Sequence, residues 1–386
     1  MKFVSRSSDV DAPEAAIAAV TANLNADLGA PCDFAIFFVA GHSGAVLAQA
    51  AAAIHAHSPN ALVLGVTAEA TIEGTREWEG TASIALLAAH LPGVHLDYLR
   101  LTQEDLESAG AWTDRLEAHG EAPKAIILFA DPFTLDIRAV LDTANSAFRG
   151  VPLVGGLASA GRRPGQNFLL GRDGVVQDGA VGVSLRGAIG VDTLVSQGCR
   201  PVGAEWVVTK GVTNVVHSLR GRPALEVLKE TIADLSPADT ELVQKGLFVG
   251  RAIDEYKRNH ERGDFLIHGL IGADPKTGVL AIAGEARTGM TLQFHLRDAA
   301  SADEDLRCLL DARGASREKC KGALLVSCNG RGTRMWEEPN HDAELIAASM
   351  PGVPLAGFFA AGELGPVGPQ SFIHGFTASL VLFREV

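Results

Sequence analysis

The chain has no C-x-x-C pair, no cluster of basic residues and no apolar amino-terminal leader, and each absence removes a class of protein. Its five cysteines, Cys32, Cys199, Cys308, Cys320 and Cys328, are odd in number and unpaired in spacing, so reduced thiols are expected, with neither a disulfide framework nor a structural zinc site. The formal charge of -13 and the lack of clustered Lys and Arg exclude a general nucleic-acid footprint, because neutralising phosphates requires concentrated positive charge. Met1 to Val10 holds no apolar core followed by a cleavage site, so the expected location is the cytoplasm. The longest uncharged stretch, Phe34 to Ala68, is broken by Gly41, His42, Ser43, Gly44 and Pro59-Asn60, which suits a buried strand, helix and strand better than a membrane span. Enzyme templates are missing as well. There is no Walker sequence, H-E-x-x-H, EF-hand loop, G-x-S-x-G elbow, or G-x-G-x-x-G between a strand and a helix, so no catalytic residue is assigned and positive grounds for an enzyme are lacking.

What is present is repetition. Gly150-Val151-Pro152-Leu153-Val154-Gly155-Gly156 is echoed by Gly352-Val353-Pro354-Leu355-Ala356-Gly357-Phe358, and more faintly by Asn60-Ala61-Leu62-Val63-Leu64-Gly65-Val66. Each echo follows an apolar run that reads as a strand (Phe34 to Ala40, Ala125 to Ala130, Ala323 to Ser327) and a helix-like segment, and precedes a turn and a second apolar run. The unit is β-loop-α-β-turn-β, used three times, and a later Gln-x-Phe (Gln166 to Phe168, Gln370 to Phe372) strengthens the match between the second and third copies. Glycine, 42 of 386 residues or about 11%, exceeds the usual ~7%, which implies many tight turns and close backbone approaches.

The 386 residues, 47% apolar and 20% charged, suit a folded protein of two domains, divided near Gly221 into 1–220 and 221–386. The expected fold class is α/β (α+β), with the repeated units forming mixed, antiparallel-rich sheets flanked by helices. Asp11 and Glu14 around Ala12-Pro13 predict a capping box opening a helix to about Asp27. Thr102 with Asp105 predicts an amphipathic helix to His119, and Ser236-Pro237 predicts a further helix start. In the second part, Gly246 to Ile253 reads as a strand. Phe265 to Gly272 and Val279 to Glu285 read as a hairpin about the turn Asp274-Pro275-Lys276-Thr277-Gly278.

Ala323-Leu324-Leu325-Val326-Ser327-Cys328-Asn329-Gly330-Arg331-Gly332, then Val353 to Pro366, then His374-Gly375-Phe376-Thr377, strongly resemble the FIST family, and Leu64 to Glu69 with Gly155 to Ala158 resemble its amino-terminal half. The resemblance implies a sensory module that binds a small ligand, such as an amino acid, and controls a signalling partner. It also implies a subset associated with haem and nitric-oxide sensing. No kinase, cyclase or transmembrane output is recognisable here, so a separate signalling protein is the expected partner; a homodimer is open.

Several residues are candidates for that ligand. Cys328 ends an apolar strand and enters the turn Asn329-Gly330-Arg331-Gly332, whose N–H groups and Arg331 suit an anion. Arg331 or Arg334 would also lower the thiol pKa, leaving a thiol-dependent enzyme or electrophile sensor as an alternative to a half-buried structural cysteine with its arginine on the surface. Glu363, after Gly362, would bind a ligand amino group or salt-bridge Arg331, and Glu69 stands in the matching place of the first unit. His374, with Thr377, opens the final strand and would contact ligand, donate to Glu363 or, only if haem binds, serve as its axial ligand; no other cofactor is expected, and a C-x-x-C-H attachment is absent. Arg251 and Glu285 are expected to supply polar walls, all these residues converging on one pocket.

Overall fold

A computed structural model describes residues 1–108, 111–117, 120–314 and 319–386. The chain forms two compact units that are discontinuous in sequence: the larger is Met1–Val195 with Arg307–Ile373 and Thr377–Val386, and the smaller is Ser196–Leu306 with His374–Phe376. Gly221 lies inside the smaller unit.

One motif occurs three times, built mostly from the larger unit. The first copy is β1 (Lys2–Ser8), α1 (Pro13–Thr21), α2 (Leu24–Leu28), β2 (Phe34–Ala40), α3 (Ala45–His55), β3 (Leu62–Ala68), the hairpin β4 (Thr71–Glu73) and β5 (Arg76–Trp78), and β6 (Ser83–His90). The second is β7 (Val94–Leu101), α4 (Gln103–Glu107), α5 (Ala111–Glu117), β8 (Ala125–Ala130), α6 (Ile137–Ala147), β9 (Leu153–Leu157), the hairpin β10 (Leu169–Gly171) and β11 (Gly174–Val176), and β12 (Ala180–Gly187). The third opens with β13 (Gly190–Gln197). It continues, after an insertion, with α9 (Ala299–Ala312), β21 (Cys320–Cys328), α10 (His341–Ser349), β22 (Leu355–Ala360), the hairpin β23 (Glu363–Val367) and β24 (Gln370–His374), and β25 (Thr377–Arg384). The insertion carries β14 (Cys199–Val212), β15 (Val215–Leu219), β16 (Arg222–Pro223), α7 (Ala224–Ala233), α8 (Pro237–Lys245), β17 (Leu247–Ala252), β18 (Phe265–Asp274), β19 (Val279–Ile282) and β20 (Thr291–Arg297).

The three copies exchange strands in a cycle. Each sheet has an antiparallel pair, then a parallel pair, then a hairpin lent by another copy: β1-β6-β2-β3-β10-β11, β7-β12-β8-β9-β23-β24 and β13-β25-β21-β22-β4-β5. The apolar runs that mark the repeats in sequence are the parallel strands, and they are apolar throughout because both faces are covered. Along β2, Phe34, Ile36 and Phe38 face a core shared by all three copies, while Ala35, Phe37 and Val39 pack under α1 and α3. In β8, Ile127 and Phe129 face the shared core, while Ile126 and Leu128 pack with residues of α5 and α6. At the centre one phenylalanine from each copy meets the other two: Phe38 stacks on Phe358 at 5.4 Å, and Phe129 sits edge-on to both at 5.9 and 5.7 Å.

The glycine that follows each repeated Leu-x has a steric cause. A Cβ on Gly357 would lie 1.7 Å from the Leu325 carbonyl oxygen, and one on Gly155, at φ +125°, would lie 2.0 Å from that of Leu128. The Gln-x-Phe match, by contrast, is coincidental. Gln166 precedes the first strand of its hairpin, whereas Gln370 opens the second strand of its own.

Two helix expectations change. Ala12 is the N-cap of α1 and no side chain caps it; the helix ends at Thr21, and Asn23 in the left-handed region (φ 54°) starts α2 separately, a conformation asparagine tolerates. Thr102 and Asp105 do form a capping box, but α4 ends at Glu107, and residues 109–110 and 118–119 of the expected helix lie outside those described. Ser236 caps α8 as expected.

In the smaller unit the strands run β14-β20-β17-β18-β19-β15-β16, and an additional β14–β15 pairing closes six of them into a barrel. Its interior is filled by residues such as Val216, Val249, Leu280, Ile282, Leu292 and Phe294, with α7 packed against it. Among the described residues, no helix is long and apolar enough to cross a membrane.

Candidate functional site

Strand register identifies where the third copy departs from the other two. The first hairpin strand of each copy pairs with its host strand through equivalent residues: Thr71 and Ile72 oppose Phe358 and Gly357, Leu169 and Leu170 oppose Val66 and Gly65, and Glu363 and Leu364 oppose Gly156 and Gly155. Glu363 therefore corresponds to Thr71 and Leu169, and not to Glu69, which precedes its hairpin. The last residues of the leading parallel strands are Ala40, Ala130 and Cys328. Ala40 opposes Ser83 and Ala130 opposes Ala180, and one step beyond the Ser327–Ala378 pair the same register sets Cys328 beside Thr377. In the first copy, Thr71 and Ser83 share a buried hydroxyl hydrogen bond of 2.8 Å; in the second, Leu169 and Ala180 are both apolar. The third copy puts a carboxyl and a thiol where its siblings have hydroxyls, methyls or leucine.

Glu363 is completely buried. Its Oε2 accepts from the Thr377 N–H at 3.2 Å and hydroxyl at 2.9 Å, and Oε1 has no hydrogen-bond partner among the described residues. Burial pushes its pKa up to about 8, against the opposing hydrogen bonds of Thr377 and Cys328, so the carboxyl holds its proton at neutral pH. The Cys328 sulfur accepts the Gly330 N–H at 3.4 Å.

Arg331 is neither on the surface nor paired with Glu363. It is fully buried and grips Asp342 with Nε at 2.7 Å and a terminal nitrogen at 2.8 Å. Asp342, in the first turn of α10, also accepts from Ser327 and His341. Burial opposes the charge on Asp342, but the Arg331 guanidinium and its hydrogen bonds prevail and hold the carboxyl well below the usual range. Glu77, in β5, accepts from the Ala343 N–H at 3.0 Å; burial, reinforced by the Asp342 charge, pushes it up to about 8. Trp336 stacks on His341 at 3.8 Å and on the Arg331 guanidinium at 4.8 Å. The turn expected to cradle an anion is thus a structural clasp between the third copy and the first copy's hairpin.

Beside this clasp lies a cleft of about 310 Å³, lined by Glu69, Ala70, Glu79, Gly80, Asn329, Thr333, Arg334 and Phe359. It sits past the carboxyl ends of β21 and β22, where open α/β sheets place ligands. Glu79 accepts the Thr333 N–H and hydroxyl, each at 2.9 Å; Arg334 pairs with Glu69 and donates to the Asn329 carbonyl at 2.5 Å. Among the described residues, no histidine lines this cleft.

Of the expected site residues, Glu363, Thr377 and Cys328 come together within one unit. Cys328, Asn329, Arg331, Gly362, Glu363 and Thr377 belong to the larger unit. The Gly362 carbonyl accepts the Leu157 N–H, and His374 is buried at the end of β24. Arg251, in β17, and Glu285, past β19, belong to the smaller unit. Glu77 and Glu79 were missed because each meets the third copy only through the hairpin exchange; Asp342, paired with Arg331 of its own copy, was missed because an acid in the first turn of a helix carries no distinguishing sequence signal.

Comparison with known proteins places the chain. A FIST N domain model matches residues 33–222 and a FIST C domain model matches residues 224–366. The chain belongs to the FIST family. FIST domains are sensory domains of signal transduction. Similar chains include uncharacterized protein Rv0628c of Mycobacterium tuberculosis, 39% identical over 338 residues (86% of each chain). Uncharacterized protein Mb0898c of Mycobacterium bovis is 41% identical over 332 residues (85% of this chain, 84% of that one). A solved cyanuric acid hydrolase aligns over 100% of both chains at 7% identity with a TM-score of 0.36, a likeness that carries no argument.

Proposed function

We propose that this FIST protein is a sensor whose cleft beside Arg334 binds a small metabolite bearing both an amine and a carboxylate, with a free amino acid as the model ligand. The observation that carries the reading is the charge arrangement: two carboxylates, Glu69 and Glu79, and one guanidinium, Arg334, around about 310 Å³, the low end of small-ligand pocket volumes. An ammonium group would be taken by the two acids and a carboxylate by the arginine fork. The Arg334–Glu69 pair is half-exposed, with side chains 49% and 31% accessible, so it can be exchanged for ligand contacts at little cost. Binding would pull on the Asn329–Trp336 turn through Thr333 and Arg334, and that turn carries Arg331 of the clasp. Transmission to a separate signalling protein is part of this proposal.

Thermal-shift screening with the twenty amino acids, each at millimolar concentration, tests it. A ligand at a hundred times its Kd adds about 2.7 kcal/mol of stability, and Arg334→Gln or Glu79→Gln should abolish the shift while leaving the unliganded midpoint nearly unchanged. If no amino acid shifts the midpoint, or if the shift persists in both variants, the cleft is not the amino-acid site.

A further inference from the structure

We infer that Cys328, Glu363 and Thr377 form a peroxide-reactive thiol site, distinct from ligand binding in the cleft. The argument begins with the internal comparison. Three copies of one motif solve the same packing problem, and the first two show that the position of Glu363 is filled by threonine or leucine and that of Cys328 by alanine. Packing therefore does not require either residue. A buried carboxyl costs stability unless its atoms are hydrogen-bonded, yet among the described residues Glu363 leaves Oε1 without a partner. Both departures occur in the same copy, and the two side chains interact with each other.

The surroundings of the sulfur suit attack on a small electrophile. Sγ faces the Gly330 N–H at 3.4 Å, and the guanidinium groups of Arg331 and Arg334 both act on Cys328 electrostatically. The sulfur attacks one peroxide oxygen; an S–O bond forms as the O–O bond breaks. The protonated Glu363 carboxyl gives its proton to the departing hydroxide, which leaves as water, and the carboxylate so formed takes up the thiol proton at Oε1. Thiol and hydrogen peroxide thus become sulfenic acid and water, the sulfur being oxidised and the peroxide reduced. Thr377 holds the other carboxyl oxygen and fixes the direction of Oε1.

The chain supplies its own control. Cys320, at the opposite end of β21, is 7% exposed, the same as Cys328, but its thiol donates to the Gly322 carbonyl at 3.2 Å and burial pushes it up to about 11. Equal access with different surroundings isolates the chemistry. The full chain is treated with hydrogen peroxide in the presence of dimedone, which traps sulfenic acid, and labelling is read peptide by peptide. Cys328 should be labelled at least about tenfold faster than Cys320, and Glu363→Leu, which installs the second copy's residue, should reduce the Cys328 rate while leaving the exposed Cys308 unchanged. Glu363→Gln, which keeps the shape, guards against a packing artefact, and circular dichroism verifies the fold of both. Labelling of Cys328 no faster than Cys320, or an unchanged Cys328 rate in a folded Glu363 variant, overturns the inference. Neither result bears on amino-acid binding in the cleft.

Discussion

Replacing Asp342 by asparagine tests the clasp most directly. The substitution preserves shape and removes one charge, leaving the Arg331 guanidinium fully buried opposite a neutral amide. Breaking a buried ion pair from one side costs about 3–5 kcal/mol, because the remaining charge has no compensation. Part of that loss should be recovered locally. Glu77 is kept protonated by burial and by the Asp342 charge; with that charge gone, it can ionise toward Arg331. The single variant is therefore expected near the lower end, about 3 kcal/mol, and Glu77→Gln with Asp342→Asn nearer the upper end. Arg331→Met with Asp342→Leu, which removes both charges together, should be markedly less damaging than either single change. Urea unfolding followed by circular dichroism measures each of these variants, with the slope against denaturant checked for constancy. A loss below about 1 kcal/mol in Asp342→Asn, at unchanged slope, would refute the claim that the pair holds the first copy's hairpin on the third copy.

Three other expectations follow from the same packing. Glu363 has a folded pKa near 8, above its unfolded value of 4.5, so the folded state binds the extra proton between these limits and stability falls as pH rises from about 5 to 8. The slope from this group is at most about 1.4 kcal/mol per pH unit; Glu363→Gln should flatten the wild-type curve of melting temperature against pH, and parallel curves would contradict it. Phe129→Ala should cost about 3–5 kcal/mol in urea unfolding, and combining it with Phe358→Ala should be non-additive because the rings touch. Glu69→Gln breaks only a half-exposed pair with Arg334 and should change stability by less than about 1 kcal/mol, the effect appearing instead in amino-acid binding.

The repeated strand-helix-strand units were legible because their signal is local and strong. A parallel strand covered on both faces must be apolar at every position, as Phe34–Ala40 and Ala125–Ala130 are, and the tight approach at Gly155 and Gly357 excludes any Cβ. Those demands are written directly into consecutive residues. Cys328, Glu363 and Thr377 were singled out through the family's motifs, whereas the buried pairing of Arg331 with Asp342 and the half-exposed pairing of Glu69 with Arg334 were not. Which residues face one another depends on the cyclic lending of hairpins: Glu77 meets Asp342 across 265 positions of sequence only because β5 belongs to another copy's sheet. Composition and periodicity constrain what a segment becomes, since they act through neighbours along the chain. Strand exchange, the insertion between β13 and α9, and the burial that reverses the charge states of Glu77 and Glu363 arise from contacts between distant segments, and only the folded arrangement sets those.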